Sequence, residues 1–363
     1  MYLIDQQYFC FSVNYQNVES IVHIMKKIYL IILAITMVFS GNLFAQDKVK
    51  VGGFVNSIYQ LNSANGDVTS NTFRMRRARL SVSGDLNNVV SYKLQGDFAS
   101  SPTLVDAYVK LKFHEAFSIQ VGQYKIPFTM ESVISPLDLE IIEYGNVISK
   151  LSGYSDISGI GKMGRDIGIM FSGSFIDMDG FNLLSYNVGI FNGNGPNIVD
   201  NNKAKDLVGK LEVRPIRYLT LEGSFHKGNY YVDTYNNGDR IRYNVGAQYN
   251  DGNLMLRSEY VWGKTGYLDA LNSEYDLNSK GMYAVAGYWF KFNDQKLMPV
   301  IRFDSFTSDA DEESTRMNYY TLGINYYPYS SVQLKANYTL AQDNLDITDY
   351  MSNQFTLQLS FKF

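Results

Sequence analysis

Cysteine is almost missing from this chain: the single one, Cys10, excludes an internal disulfide. Only three histidines are present, His23, His114 and His226, so no Cys/His cluster is available for structural zinc or thiol catalysis, and no metal site or cofactor is expected. Proline is scarce at 7 of 363 residues, whereas Tyr (29), Phe (22) and Gly (29) are abundant, a balance that favours many strands joined by turns over a helical bundle. Charge is thin at 19%, but with 45% apolar and 15% aromatic residues the chain is not disordered. The formal net charge of −4 supplies no global basic field, so nucleic acid is not an expected partner. No apolar run reaches the roughly 18 residues of a transmembrane helix.

One shorter apolar run does carry meaning. Met25-Lys26-Lys27 is a basic start, Ile28 to Phe39 is apolar, and Leu43-Phe44-Ala45 ends in a small residue before Gln46. That order predicts a secretory signal peptide over 25–45, with 1–24 an untranslated upstream extension and 46–363 the mature chain. Export would remove Cys10 with the leader.

From Val49 onward apolar and polar residues alternate at period two. Val49, Val51, Val55, Tyr59 and Leu61 share one face near the start, and Phe355, Leu357, Leu359, Phe361 and Phe363 share one at the end. Segments of this kind recur about 16 times, joined alternately by short turns and longer links. Asn87-Asn88, Asp177 to Gly180, Asp251-Gly252 and Asn293 to Gln295 have turn chemistry. The longer links are expected at Asn62 to Asn71, Ile126 to Gly164, Asn192 to Ala204, Gly228 to Asp239, Thr265 to Lys280, Ser308 to Thr315 and Gln342 to Met351. Strict short/long alternation predicts an all-β fold: a transmembrane antiparallel barrel with periplasmic turns and extracellular loops. Aromatics near strand ends, including Tyr59, Phe98, Phe113, Phe117, Trp262, Phe290, Phe292 and Tyr327, fit an interfacial girdle facing outer-membrane lipid and lipopolysaccharide. An exported sandwich or propeller is the alternative architecture.

Several stretches carry a family resemblance: Phe73 to Leu86 (FRMRRARLSVSGDL), Val105 to Val109 (VDAYV), Val121 to Phe128 (VGQYKIPF), Gly164 to Gly168 (GRDIG), Gly323 to Tyr327 (GINYY) and the terminal Phe363. They resemble the phosphate-selective porin O and P family. The resemblance implies a homotrimeric outer-membrane porin of about 16 strands, a long loop folded into the pore, and basic side chains guiding small anionic or polar solutes. The longest link, 126–164, stands where such a constriction loop would be, and carries Glu131, Asp138, Glu140 and Glu143 against Lys150 and Lys162.

If Ala78, Leu80, Val82 and Leu86 face lipid, Arg77 and Arg79 face the lumen. The same rule places Lys93, Lys110, Lys112, Lys210, Arg214, Arg242, Arg257, Arg302 and Lys335 inside as anion-binding lining. Counting all inward positions gives about 15 cations against 8 anions, an excess of roughly +7. The alternative for Arg77 and Arg79 is bracing of the wall through Asp97 and Asp106. Against phosphate stands an acidic mouth, formed by the constriction-loop carboxylates and by Asp309, Asp311, Glu312, Glu313, Asp343, Asp346 and Asp349.

Other readings stay open. Tyr108, Tyr124 and Trp289 would form a stacking path in a general or carbohydrate-selective pore, and long loops could serve a barrel-anchored receptor or adhesin. Gly159-Ile-Gly-Lys-Met-Gly164 matches a nucleotide fingerprint but precedes a strand, so tight turning is the expected role. His226, Glu222 and Ser224 share a face without a nucleophile motif, which predicts a solvated lumen histidine and no enzyme.

Overall fold

The structure, a computed structural model, describes residues 49–64, 67–233, 237–268, 274–343 and 351–363. The leader, Cys10, His23, Asp346 and Asp349 lie outside the described residues. Among those described, antiparallel strands follow one another as β1 (Lys50–Ala64), β2 (Asp67–Asp85), β3 (Val90–Asp97), β4 (Thr103–His114), β5 (Phe117–Lys125), β6 (Arg165–Asp177), β7 (Asn182–Phe191) and β8 (Asp206–Ile216). The second half holds β9 (Leu219–Tyr231), β10 (Asn237–Asn250), β11 (Leu254–Leu268), β12 (Glu274–Tyr288, continued past Trp289 by Phe290–Phe292), β13 (Gln295–Thr307), β14 (Arg316–Tyr329), β15 (Val332–Asp343) and β16 (Met351–Lys362). Each pairs with its sequence neighbours, and β16 pairs with β1 from Phe54↔Lys362 to Ala64↔Ser352, so the sheet closes into a 16-stranded barrel. Closure is completed by Phe363, whose backbone exchanges two hydrogen bonds with Gly53 (3.0 and 3.1 Å).

The turns are set by short polar side chains. Asn87 Oδ1 accepts from the Val89 and Val90 amides (2.9 and 2.8 Å), and Asp251 Oδ1 accepts from Asn253 and Leu254 (2.8 Å each). Several links expected to be long are instead strand. β1 and β2 run to Ala64 and from Asp67, β9 and β10 to Tyr231 and from Asn237, and β11 and β12 to Leu268 and from Glu274. Their polar composition reads as loop, yet an antiparallel ladder satisfies backbone groups in water as well as in lipid. The bonds from Asn62 to Ser70 (2.7 Å) and from Gln354 to Asn62 (2.9 Å) hold such a ribbon above the barrel.

Alternation sorts the faces as expected. Val51, Leu80, Leu94, Val109, Leu322 and Leu359 point outward and are exposed, while Asn56, Arg79, Asp106, Arg257, Asp304 and Gln358 point inward and are buried. Tyr327 departs from the expected girdle: it faces inward and meets Trp289 edge to face at 5.2 Å. No helix among the described residues is long and apolar enough to cross a membrane. The core lies inside the barrel, where the 126–164 segment packs Leu139, Ile141, Val147, Ile148 and Leu151 onto inward residues of β11 to β13.

Candidate functional site: a loop-constricted passage

The 126–164 segment turns into the barrel through two short helices, α1 (Met130–Val133) and α2 (Asn146–Leu151). Thr129 and Ser132 cap α1 reciprocally, the Ser132 amide donating to Thr129 Oγ1 at 3.1 Å. Glu259 on β11 accepts from the Met130 and Glu131 amides (2.7 and 2.8 Å), so a strand carboxylate holds the loop by its backbone. At the far end Gly161 (φ 91°) and Gly164 (φ 61°) make the tight return. A Cβ on Gly164 would stand 2.6 Å from the Tyr154 ring, which explains the glycine fingerprint without a nucleotide.

Most basic side chains predicted as anion lining on β10 to β15 are committed to this loop. Arg242 forms a buried two-point pair with Asp156, one bond being 2.8 Å, and also donates to the Leu151 carbonyl at 2.9 Å. Arg257 grips Glu140 (2.6 and 3.2 Å) and donates to the Tyr283 hydroxyl at 2.9 Å, which in turn donates to Glu259 at 2.6 Å. Arg302 donates to the Glu143 carbonyl at 2.7 Å, and Lys335 to the Leu137 and Leu139 carbonyls at 2.9 and 2.6 Å. Glu131 is buried, accepts from the Gly145 amide at 3.0 Å, and stands 3.7 Å from Arg302 and 3.8 Å from Arg257.

The acidic constriction loop therefore does not present all of its carboxylates to the passage as expected. Glu131 and Glu140 turn toward the β11 to β13 wall, and Glu143 is paired with Arg76. Asp138 and Lys162 are exposed, and Lys150 is half-buried on α2. Burial pushes Glu131 up to about 7 against the pull of Arg302 and Arg257. Burial also raises Asp156, but the Arg242 guanidinium and the Ser158 hydroxyl outweigh it and hold the carboxyl at about 2.

The opposite wall stays open. A cavity of about 390 Å³ runs between Pro127, Val133 and Pro136 of the loop and the inner face of β1 to β8. On that face Arg79 (2.9 Å) and Arg77 (3.7 Å) share Asp97, as the bracing alternative anticipated, while Asp106 instead takes Lys93 (2.8 Å) and Arg165 (2.6 Å). Lys210 lies between Glu212 (2.8 Å) and Glu222 (3.2 Å), and half-exposed Arg214 is 3.9 Å from Glu212. Lys125 bonds oxygens that carry no full charge: the Ser132 carbonyl (2.9 Å), the Ile134 carbonyl and the Tyr144 hydroxyl (3.3 Å). Lys110 and Lys112 lie toward the C-terminal end of β4, beside the 115–116 turn, where Lys112 pairs with Glu115 at 2.6 Å.

Among the described residues, inward cations that the alternation rule did not supply include Arg76, Lys125 and Arg165. Arg76 is the extra residue of a bulge, since Asn56 pairs with Arg77 and Ser57 with Met75; it points inward and grips Glu143 (3.0 and 2.7 Å). Lys125 and Arg165 stand where β5 and β6 leave the wall, beyond the reach of a period-two argument. Two other expectations change. His226 is buried, not solvated, and shares Asp206 (2.6 Å) with Arg240 (2.5 Å). Tyr124 lines the open cavity, but Trp289 packs against Tyr327 on β14, so the aromatic residues form no continuous stacking path.

A closed barrel of this size, narrowed by an inserted loop that leaves a polar passage along one wall, is a porin. The sequence model of the phosphate-selective porin O and P family matches residues 49–363, and the chain belongs to that family. It is an outer-membrane channel with a preference for anions. An uncharacterized protein of Aquifex aeolicus (strain VF5) is 23% identical over 353 residues, covering 82% of this chain and 83% of its own length. Among solved structures, the anion-selective porin from Comamonas acidovorans superposes with a TM-score of 0.65 at 14% identity, covering 87% of this chain and 99% of that one. The outer-membrane protein OmpT of Vibrio cholerae in its trimer form gives 0.60 at 11% identity, covering 87% and 100%.

Proposed function

We propose that anions diffuse passively between the loop and the β1 to β8 wall, with no bond made or broken. The observation that carries this is the destination of the charges. The loop carboxylates Glu131, Glu140 and Asp156 pair with cations of β10, β11 and β13, while the open wall sets Arg77, Arg79, Lys93, Lys125, Arg165 and Lys210 against Asp97, Asp106, Glu212 and Glu222. Of these, Arg79, Lys93, Lys125, Arg165 and Lys210 line the cavity with Asp106, an excess of cations smaller than the alternation count but placed where solute passes.

Refolded protein in a planar bilayer under a KCl gradient tests the reading. The reversal potential lies toward the chloride potential, and exchanging Lys125 and Arg165 for glutamine moves it toward zero. A potassium-side reversal potential overturns it. Two parts of the assignment rest on sequence and resemblance: a homotrimer, checked by the mass of the detergent-solubilised barrel, and cleavage of a signal peptide after Ala45, checked by a mature N-terminus at Gln46.

A further inference from the structure

The passage has two unlike sides. On the barrel side stand Lys125, Arg165, Lys93 and Lys210, most of them already shared with Asp106, Glu212 and Glu222. On the other, the loop residues that line the cavity are Pro127, Val133, Ser135 and Pro136, with Val133 38% exposed. Apart from Ser135 this loop face is apolar, because Glu131 turns toward Arg257 and Arg302 and Glu140 toward Arg257. Tyr108 and Tyr124 add ring edges, their centroids 5.8 Å apart.

We propose that this slot selects organic anions that carry one anionic head, a carboxylate or a phosphate ester, on a compact apolar body such as a single ring. The proposal rests on the anion passage described above. A fully hydrated inorganic anion must exchange its shell for protein donors, and the loop side of the slot offers it little beyond the Ser135 hydroxyl. The modest cation surplus cannot offset that loss around a whole dianion. An aryl carboxylate or aryl phosphate divides its needs as the slot does, turning its head to Lys125 and Arg165 while its ring covers Val133 and Pro136. A volume of about 390 Å³ admits such a solute with water beside it.

The test compares block of the chloride current by four additives at matched concentration: benzoate, acetate, phenyl phosphate and inorganic phosphate. Benzoate is expected to block about tenfold more strongly than acetate, and phenyl phosphate about tenfold more strongly than phosphate, the ratio given by partial burial of one ring. Ring-dependent block with only one of the two heads supports the slot and assigns its head group. Val133→Asn, which changes no charge, brings the ratios toward one. Equal block with and without the ring overturns the proposal, and the wild-type comparison alone suffices should the variant not fold. A potassium-side reversal potential in plain KCl would instead mark failure of the underlying anion passage.

Discussion

Arg242 and Asp156 are each about 1% exposed in their side chains, so neither charge can fall back on water if its partner is lost. Arg242→Ala should therefore loosen the loop by about 3–5 kcal/mol, seen as faster proteolysis within 150–162, whereas a paired apolar replacement at both positions recovers most of that loss. Equal proteolysis of wild type and Arg242→Ala would show that the pair does not hold the loop. Glu131 makes a separate, pH-dependent prediction. Its carboxyl sits at about 7 in the docked loop, raised by burial, against about 4.3 when free. The docked state thus holds the proton more tightly, and docking weakens as pH rises from about 4 to 7, by up to roughly 4 kcal/mol, with no further change above. Asp156, held at about 2, acts in the opposite sense, and its stabilisation is lost only as pH falls below about 4. Between pH 5 and 8 the trend is Glu131's alone of these two: open-channel noise should increase with pH, and Glu131→Gln should flatten the increase. Noise that ignores pH, or a slope that survives the substitution, contradicts it.

At the scale of elements, the wall was far more legible than what fills it. Period-two alternation locates the strands, and Asn87, Asp177 and Asp251 mark turns, because both depend on neighbours in sequence. The bulge at Arg76 and the partners of the loop carboxylates depend on contacts such as Arg76 to Glu143 and Lys335 to Leu137, far apart along the chain. One signal was present and unused. Val261, Val285, Met298 and Val300 occupy inward positions yet are apolar and buried, which a water-filled lumen would not favour. They mark the surface that the loop covers. Replacing 138–156 by a short Gly/Ser link should widen the channel and raise conductance severalfold, while the uncovered patch lowers refolding yield. Unchanged conductance would mean that the loop does not define the narrow point.

For the whole molecule, two sets of charge of opposite sign lie at different depths, and salt separates their effects. The 308–315 link carries Asp309, Asp311, Glu312 and Glu313, with Glu313 partly offset by Arg316 and by Lys280 at 3.6 Å. Asp311, Glu312 and Glu313 are exposed, so salt screens them readily, whereas the passage cations are partly buried and are screened less. At about 0.01 M salt, with a Debye length near 30 Å, the rim acids act at the entrance and oppose chloride. Near 0.1 M, at about 10 Å, the rim is uncoupled while the passage surplus still acts; near 1 M, at about 3 Å, both fade. Chloride preference should therefore pass through a maximum near 0.1 M instead of falling steadily with salt. Exchanging Asp309, Asp311, Glu312 and Glu313 for their amides should restore preference at the low-salt end and leave the decline toward 1 M in place. A steady fall in both proteins would show that the rim has no hold on permeation and that the passage wall sets selectivity at every ionic strength.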